Sequence, residues 1–234
     1  MNQRKDLWWV EWLAMAIALT VLLIYASWTT FNGQNYIAGP YRSPFYPFDF
    51  GIFGLSPALL VFWIPVAFRL TCYYWRQVYY RSYFLDPQGC AVKEFRKGYN
   101  GETKFPFILQ NLHRYFVYLA MILLILHWKE TFNSFYYDDK IGIGVGSVIL
   151  LLDSVFITIY VFSCHFLRHL VGGGLQQFSC SSCNKLRYKA WQGISALNLR
   201  HALWAWISLI TIIVADIYVR LLAKGIIVDI NTWR

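Results

Sequence analysis

Apolar residues gather along this chain in five long stretches, at about 7–30, 53–78, 107–132, 141–170 and 197–223, separated by more polar segments. A bilayer core of roughly 30 Å takes about 20 apolar residues at 1.5 Å rise each, so every stretch is long enough to cross it as a helix. The pattern predicts an all-α polytopic membrane protein, a single domain of five transmembrane helices. Pro57 suits the first turn of the second helix, and Pro65 predicts a kink inside it. The run that follows Met1 to Lys5 is too long for a secretory signal and lacks a small-residue cleavage site, so it is expected to be a membrane helix.

Composition sharpens this reading. Of 234 residues 58% are hydrophobic and only 14% charged, which excludes an ordinary soluble domain. Many of the aromatic residues sit near the ends of apolar runs, where amphipathic rings favour the headgroup layer. The net charge of +9 is therefore read as membrane topology and not as nucleic-acid binding. Fifteen Lys and Arg flank the N-terminus and the connections between the second and third and the fourth and fifth helices; six flank the opposite ends. The basic side belongs in the cytoplasm, which predicts a cytoplasmic N-terminus, an outer C-terminus and two cytoplasmic loops at about 81–106 and 172–196.

With that topology, the soft ligands fall on one side. Cys72, Cys164, His113, His165, His169 and His201 lie at the cytoplasmic helix ends, and Cys90, Cys180 and Cys183 in the cytoplasmic loops. Cysteines on the reducing side point away from a disulfide scaffold. His127 alone lies near the outer end, where a histidine is expected to cap carbonyls or sit in the headgroup layer, and this argues against two stacked bis-histidine haems. One centre on the cytoplasmic side stays open: a haem b held by two of His113, His169 and His201, or a Rieske-type [2Fe-2S] cluster with two Cys and two His. His165 and His169 share a helix face, and Cys180-x2-Cys183 is a weak chelating motif. Asp153 and Asp216 lie within apolar stretches; Asp216 and Arg220, four residues apart, are expected to pair structurally. Aromatic and basic groups such as Trp75-Arg76 and Arg114-Tyr115, with Arg168, fit an interfacial belt and offer donors for a quinone head.

Several separate segments carry a family resemblance. They include Leu70-Thr-Cys-Tyr-Tyr-Trp-Arg-Gln-Val-Tyr-Tyr-Arg-Ser, Leu109-Gln-Asn-Leu-His-Arg-Tyr-Phe, Ser163-Cys-His-Phe-Leu-Arg-His-Leu and Leu197-Asn-Leu-Arg-His, with Tyr36-Ile-Ala-Gly-Pro-Tyr-Arg-Ser-Pro and Asp216-Ile-Tyr-Val-Arg-Leu at the outer side. Together they resemble the single-chain membrane anchor of actinobacterial-type succinate dehydrogenase, respiratory complex II. The resemblance implies a bacterial cell-membrane anchor for a flavoprotein and an iron-sulfur subunit on the cytoplasmic face. It also implies an embedded Rieske-type [2Fe-2S] cluster and quinone as electron acceptor, with no succinate chemistry in this chain itself and room for a higher oligomer of the complex. Among matching positions it favours Cys72, Cys90, His113 and His169 as ligands, with His165, His201, Cys164, Cys180 and Cys183 competing. Trp75, Arg76, Arg114, Tyr115 and Arg168 are the quinone candidates. A stand-alone haem b oxidoreductase and a small transporter using Asp153, Asp216 and Arg220 are the rival expectations, the second disfavoured by the lack of an inverted repeat.

Overall fold

The computed structural model describes residues 7–49, 51, 56–84, 103–105, 107–173, 177, 179 and 181–233. Eight helices follow one another among these residues: α1 (Trp8–Asn32), α2 (Pro57–Leu70), α3 (Tyr73–Phe84), α4 (His113–Asn133), α5 (Val145–Phe162), α6 (His165–Gly172), α7 (Ser182–Asn198) and α8 (His201–Ala223). Helices α1, α4, α5 and α8 are long and apolar enough to cross a membrane, and α2 with α3 passes only as a bent pair. Among the described residues four helices are candidate spans, and the five that hydropathy predicts are reached when the bent pair counts as one broken span.

The second apolar stretch departs most from expectation. Pro57 does open α2, behind the Ser56 side chain that accepts the Leu59 N–H, and Pro65 lies inside it. The large change of direction comes later, at Thr71 and Cys72, where α2 and α3 meet at 81°. Apolarity falls at this break, since α2 is rich in aliphatic residues and α3 in Tyr, Trp and Arg, and such an aromatic and basic segment reads as the interfacial end of one span. The fourth stretch is also divided: α5 ends at Phe162, and Cys164 starts α6. Residues 172–196, expected to be a loop, contain most of α7. Ser181 caps this helix through the Asn184 N–H, and α7 packs against α6, where Arg187 donates to the carbonyls of Val171 and Gly173 and Arg168 lies over the Trp191 ring.

At the other end, two hairpins close the connections. β1 (Ile37–Ala38) pairs with β2 (Tyr41–Arg42), and β3 (Tyr136–Tyr137) with β4 (Lys140–Ile141). Asp138 and Asp139 both have positive φ, the conformation that a two-residue turn needs to match the right-handed strand twist. Helices α5 and α8 form the most extensive pairing, α4 packs on α2 and α5, and α1 lies outermost. Leu13, Ile17, Val21 and Ile24 of α1 are exposed at helical spacing, a face suited to lipid. The main core joins Phe68, Cys72, Trp75, Val117, Tyr160, Cys164, Leu167 and Ala205. Both described buried thiols are thus part of the apolar packing that anchors the helix breaks.

Candidate metal and quinone site

The two broken stretches and the starts of two spanning helices meet at one end of the bundle. Cys72 sits in the α2–α3 break and Cys164 in the α5–α6 break, while His113 and His201 are the first residues of α4 and α8. His113 Nε2 lies 3.2 Å from Cys164 Sγ, and His201 Nε2 lies 3.5 Å from Cys72 Sγ. Each imidazole is held by its other nitrogen: His113 Nδ1 contacts the Phe68 carbonyl and Thr71 Oγ1, both at 3.1 Å, and His201 Nδ1 contacts Ser163 Oγ at 2.6 Å. The residues that hold the rings come from the same breaks that present the thiols.

The four side chains line a cavity of about 710 Å³ with Tyr73, Gln110, Arg114, His165 and His169. Backbone N–H groups at the starts of α3 and α6 point at the two sulfurs, from Tyr74 and Trp75 toward Cys72 and from Phe166 and Leu167 toward Cys164. Such helix starts carry partial positive charge and favour an anion. Burial nevertheless pushes the Cys164 thiol up to about 11, so without a cation beside it the sulfur stays protonated at neutral pH.

The other candidate ligands lie on the rim of this cavity or away from it. His169 and His165 face each other at 3.0 Å between their Nε2 atoms on the exposed rim of the cavity. Burial, then the charges of His169 and Arg168, hold His165 below the usual imidazole range. Cys183 is exposed on α7, and Cys90 and Cys180 fall outside the described residues. Among the described residues, no three His, Cys, Asp or Glu side chains converge to hold a single ion. The donors form two Cys–His pairs instead.

Beside this cavity lies an apolar pocket of about 200 Å³ between α1, α2, α3 and α8, walled by Leu19, Leu22 and Ile212 and bearing Arg69, Trp75 and Tyr79. Trp75, a quinone candidate from the sequence, lines this pocket. Arg76 lies over the Tyr73 ring, Arg114 over Tyr115, which is exposed, and Arg168 donates to Ser195 Oγ. None of these four lines the pocket. Sequence reasoning passed over Arg69, which counted only toward orientation. Its guanidinium donates to the Ala205 carbonyl and Ser208 Oγ and lies 4.6 Å from the Tyr160 ring centroid; no carboxylate pairs with it among the described residues. An arginine inside an apolar stretch was the available signal, because such a charge is costly unless it has work to do.

The buried carboxylates are accounted for differently. Asp216 accepts from Tyr25, Ser43 and Arg220, the last at 2.8 Å, so the structural pairing expected from spacing is present. His127 departs from expectation: it is buried inside the bundle, with Nε2 3.1 Å from Asp153 Oδ2. A headgroup position was inferred from its place along α4, but rotation about the helix axis turns it toward α5.

Fold and site define a multi-pass helical membrane subunit with a thiol- and imidazole-lined cavity at one end. The family model for the actinobacterial succinate dehydrogenase subunit SdhC matches residues 10–225, and the chain belongs to that family. It is also similar to a chain of the Mycobacterium smegmatis Sdh1 complex in the apo form, at 36% identity and a TM-score of 0.90, over 100% of this chain and 94% of that one. No curated protein sequence matches it.

Proposed function

We propose that this chain is the electron-relaying membrane anchor of a succinate:quinone oxidoreductase in the bacterial cell membrane, and that Cys72, Cys164, His113 and His201 hold a Rieske-type [2Fe-2S] cluster. The observation that carries this reading is the donor set. Two thiols, each seated against a buried imidazole, face one cavity whose exposed rim carries His165 and His169. The two buried pairs match the complement such a cluster takes, two protein ligands for each iron. A mononuclear site asks for three or four converging ligands, and the described residues offer pairs. A haem b is less well served, because each buried imidazole is seated against a sulfur and not opposite another imidazole. His201 and Cys164 replace His169 and Cys90 in the ligand set that the resemblance favoured.

The cluster would supply one-electron transfer between a docked donor and quinone. The chain's own residues do the rest. Phe68, Thr71 and Ser163 orient the imidazoles, the starts of α3 and α6 offer N–H groups to the sulfurs, and Phe68, Val117 and Leu167 exclude water from one side. A quinone head fits the neighbouring pocket, where Arg69 and Tyr79 offer donors, Trp75 offers a stacking face and the leucine wall suits an isoprenoid tail. Trp75 Nε1 donates to Tyr160 Oη at 3.1 Å, and the Tyr160 ring stacks on His201 with centroids 5.2 Å apart, so packed aromatic rings join the pocket to the cavity.

The soluble partners, a flavoprotein and an iron-sulfur subunit, dock at the same end, over α3 and the α6–α7 pair. The excess of Lys and Arg at that end supports a cytoplasmic position for it. A transporter gains little support, since Asp216 and Arg220 are satisfied by each other and by their neighbours. The test is EPR of the purified complex. A reduced signal of low average g, typical of mixed Cys and His ligation, together with quinone reduction by succinate, is expected; a b-haem absorption band without that signal overturns the cluster assignment.

A further inference from the structure

The bundle contains a second line of ionisable groups that neither the cluster nor the quinone pocket uses. It starts at the hairpin-bearing end. Arg42 on β2 pairs at 2.6 Å with Asp49, whose side chain is 70% exposed, and at 3.1 Å with Glu130. Glu130 is buried on α4, and His127 lies three residues before it, one turn deeper on the same helix. Opposite His127, on α5, stands the fully buried Asp153, whose Oδ1 accepts from Thr211 Oγ1 at 2.7 Å.

The contact between His127 and Asp153 is close but misaligned. Nε2 and Oδ2 are 3.1 Å apart, yet neither atom has a hydrogen-bond partner. A purely structural ion pair would be expected to align, because an unmet polar atom away from water is costly. His127 also lines a cavity of about 80 Å³, with Arg69 and Tyr160 on the same wall, and Arg69 in turn lines the apolar pocket assigned to quinone. A cavity of that size with three polar groups on its wall has room for a short chain of waters.

We propose that Glu130, His127 and Asp153 form a proton path from the hairpin-bearing face to the quinone pocket, so that quinone reduction draws its protons from the side of the membrane opposite the cluster. The proposal rests on the quinone reading. In the balanced reaction, succinate oxidation in the partner subunit releases two electrons and two protons. The quinone takes two electrons and two protons and forms two O–H bonds, and those two protons enter past Glu130. Each group in the path accepts one proton and passes one on, so the path itself ends unchanged.

The test uses the whole complex in sealed liposomes, with a pH-sensitive dye trapped in the lumen, valinomycin and potassium to clamp the potential, and succinate only outside. Complexes with outward succinate sites then alkalinise the lumen, by two protons for each quinone reduced. Glu130→Gln and Asp153→Asn each lower lumenal uptake and quinone reduction at least about tenfold, while succinate oxidation by a soluble electron acceptor stays unchanged. A lumen that keeps its pH while the wild-type complex reduces quinone overturns the path and leaves the quinone reading intact, as does wild-type uptake in Glu130→Gln. A wild-type complex that oxidises succinate with the soluble acceptor but reduces no quinone removes both readings. Should Asp153→Asn fail to assemble, the wild-type stoichiometry and Glu130→Gln, nearer the surface, decide.

Discussion

His113, the first residue of α4, places its Nε2 3.2 Å from the sulfur of Cys164, which lies 51 residues later at the break between α5 and α6. The ring is oriented from behind by Phe68 and Thr71, just before the other break. A metal ligand fixed in this way depends on the groups behind it. Thr71→Val and Ser163→Ala are therefore expected to lower cluster occupancy or quinone reduction about 10- to 100-fold each. Integrated EPR intensity per flavin measures the first, and succinate oxidation by a soluble acceptor, expected to be unchanged, shows that the partners remain docked.

Arg69 is the charged donor in the apolar pocket proposed for quinone. Removing a hydrogen bond to a charged group costs about 1.5–3 kcal/mol, so Arg69→Leu should cut quinone kcat/KM by at least about tenfold, and Arg69→Lys should recover part of it. Steady-state kinetics with a short-chain quinone gives the answer. Equal values for all three proteins would remove Arg69 from the site.

Asp216 and Arg220 hold the hairpin-bearing half together, since Arg220 also donates to the carbonyls of Gln34 and Thr29. Asp216→Ala leaves a buried guanidinium without its carboxylate, a loss of about 3–5 kcal/mol. The double change Asp216→Ala with Arg220→Met should be milder than Asp216→Ala alone. Thermal unfolding in detergent distinguishes the two, and additive losses would mean that the pair is not coupled.

The C-terminal segment is clasped through Asp229, which accepts from Tyr41 Oη at 2.5 Å, Tyr218 Oη at 2.6 Å and the Gly146 N–H at 3.1 Å. Gly146 is required at this point: a Cβ there would lie 2.8 Å from the Tyr41 ring. Burial raises the Asp229 carboxyl, but the bonds from Tyr218, Tyr41 and Gly146 outweigh it and hold the group below the usual carboxylate range. A depressed folded value means that the stabilisation is complete above the unfolded value of about 3.9 and is lost as pH falls through the folded value. Melting temperature should drop over that acid range, and Asp229→Asn should start lower at neutral pH and lose this part of the drop.

Sidedness has a direct check in Cys183, an exposed thiol on α7, once Cys90 and Cys180 are replaced by serine, because the other described thiols, Cys72 and Cys164, are buried. A membrane-impermeant maleimide should label Cys183 in inverted vesicles stripped of the soluble subunits and spare it in intact cells. The variant Asp139→Cys, in the turn between β3 and β4, should behave in the opposite way. Labelling of both from the same side contradicts the orientation.

Apolar length and the bias of Lys and Arg were legible in the sequence because both are properties of position along the chain. They were enough for the multi-pass helical architecture, for the end at which His113, Cys164, His165, His169 and His201 gather, and for the structural pairing of Asp216 with Arg220, which depends only on a four-residue step along one helix. Local motifs in the same segments also pointed to the family that the comparisons establish.

Which donors meet was decided by the tertiary structure. At Cys72 and Cys164 the chain becomes less apolar, which a span nearing its interfacial end shows as readily as a break does, and α7 mixes charges with a buried Ile194 and so reads as a loop. Partner choice depends on how each helix is rotated and what packs beside it: His113 against Cys164, His201 against Cys72, and His127 turned inward to Asp153. Rotation and neighbour contacts arise only when separate helices pack together, and no spacing along a single helix encodes them.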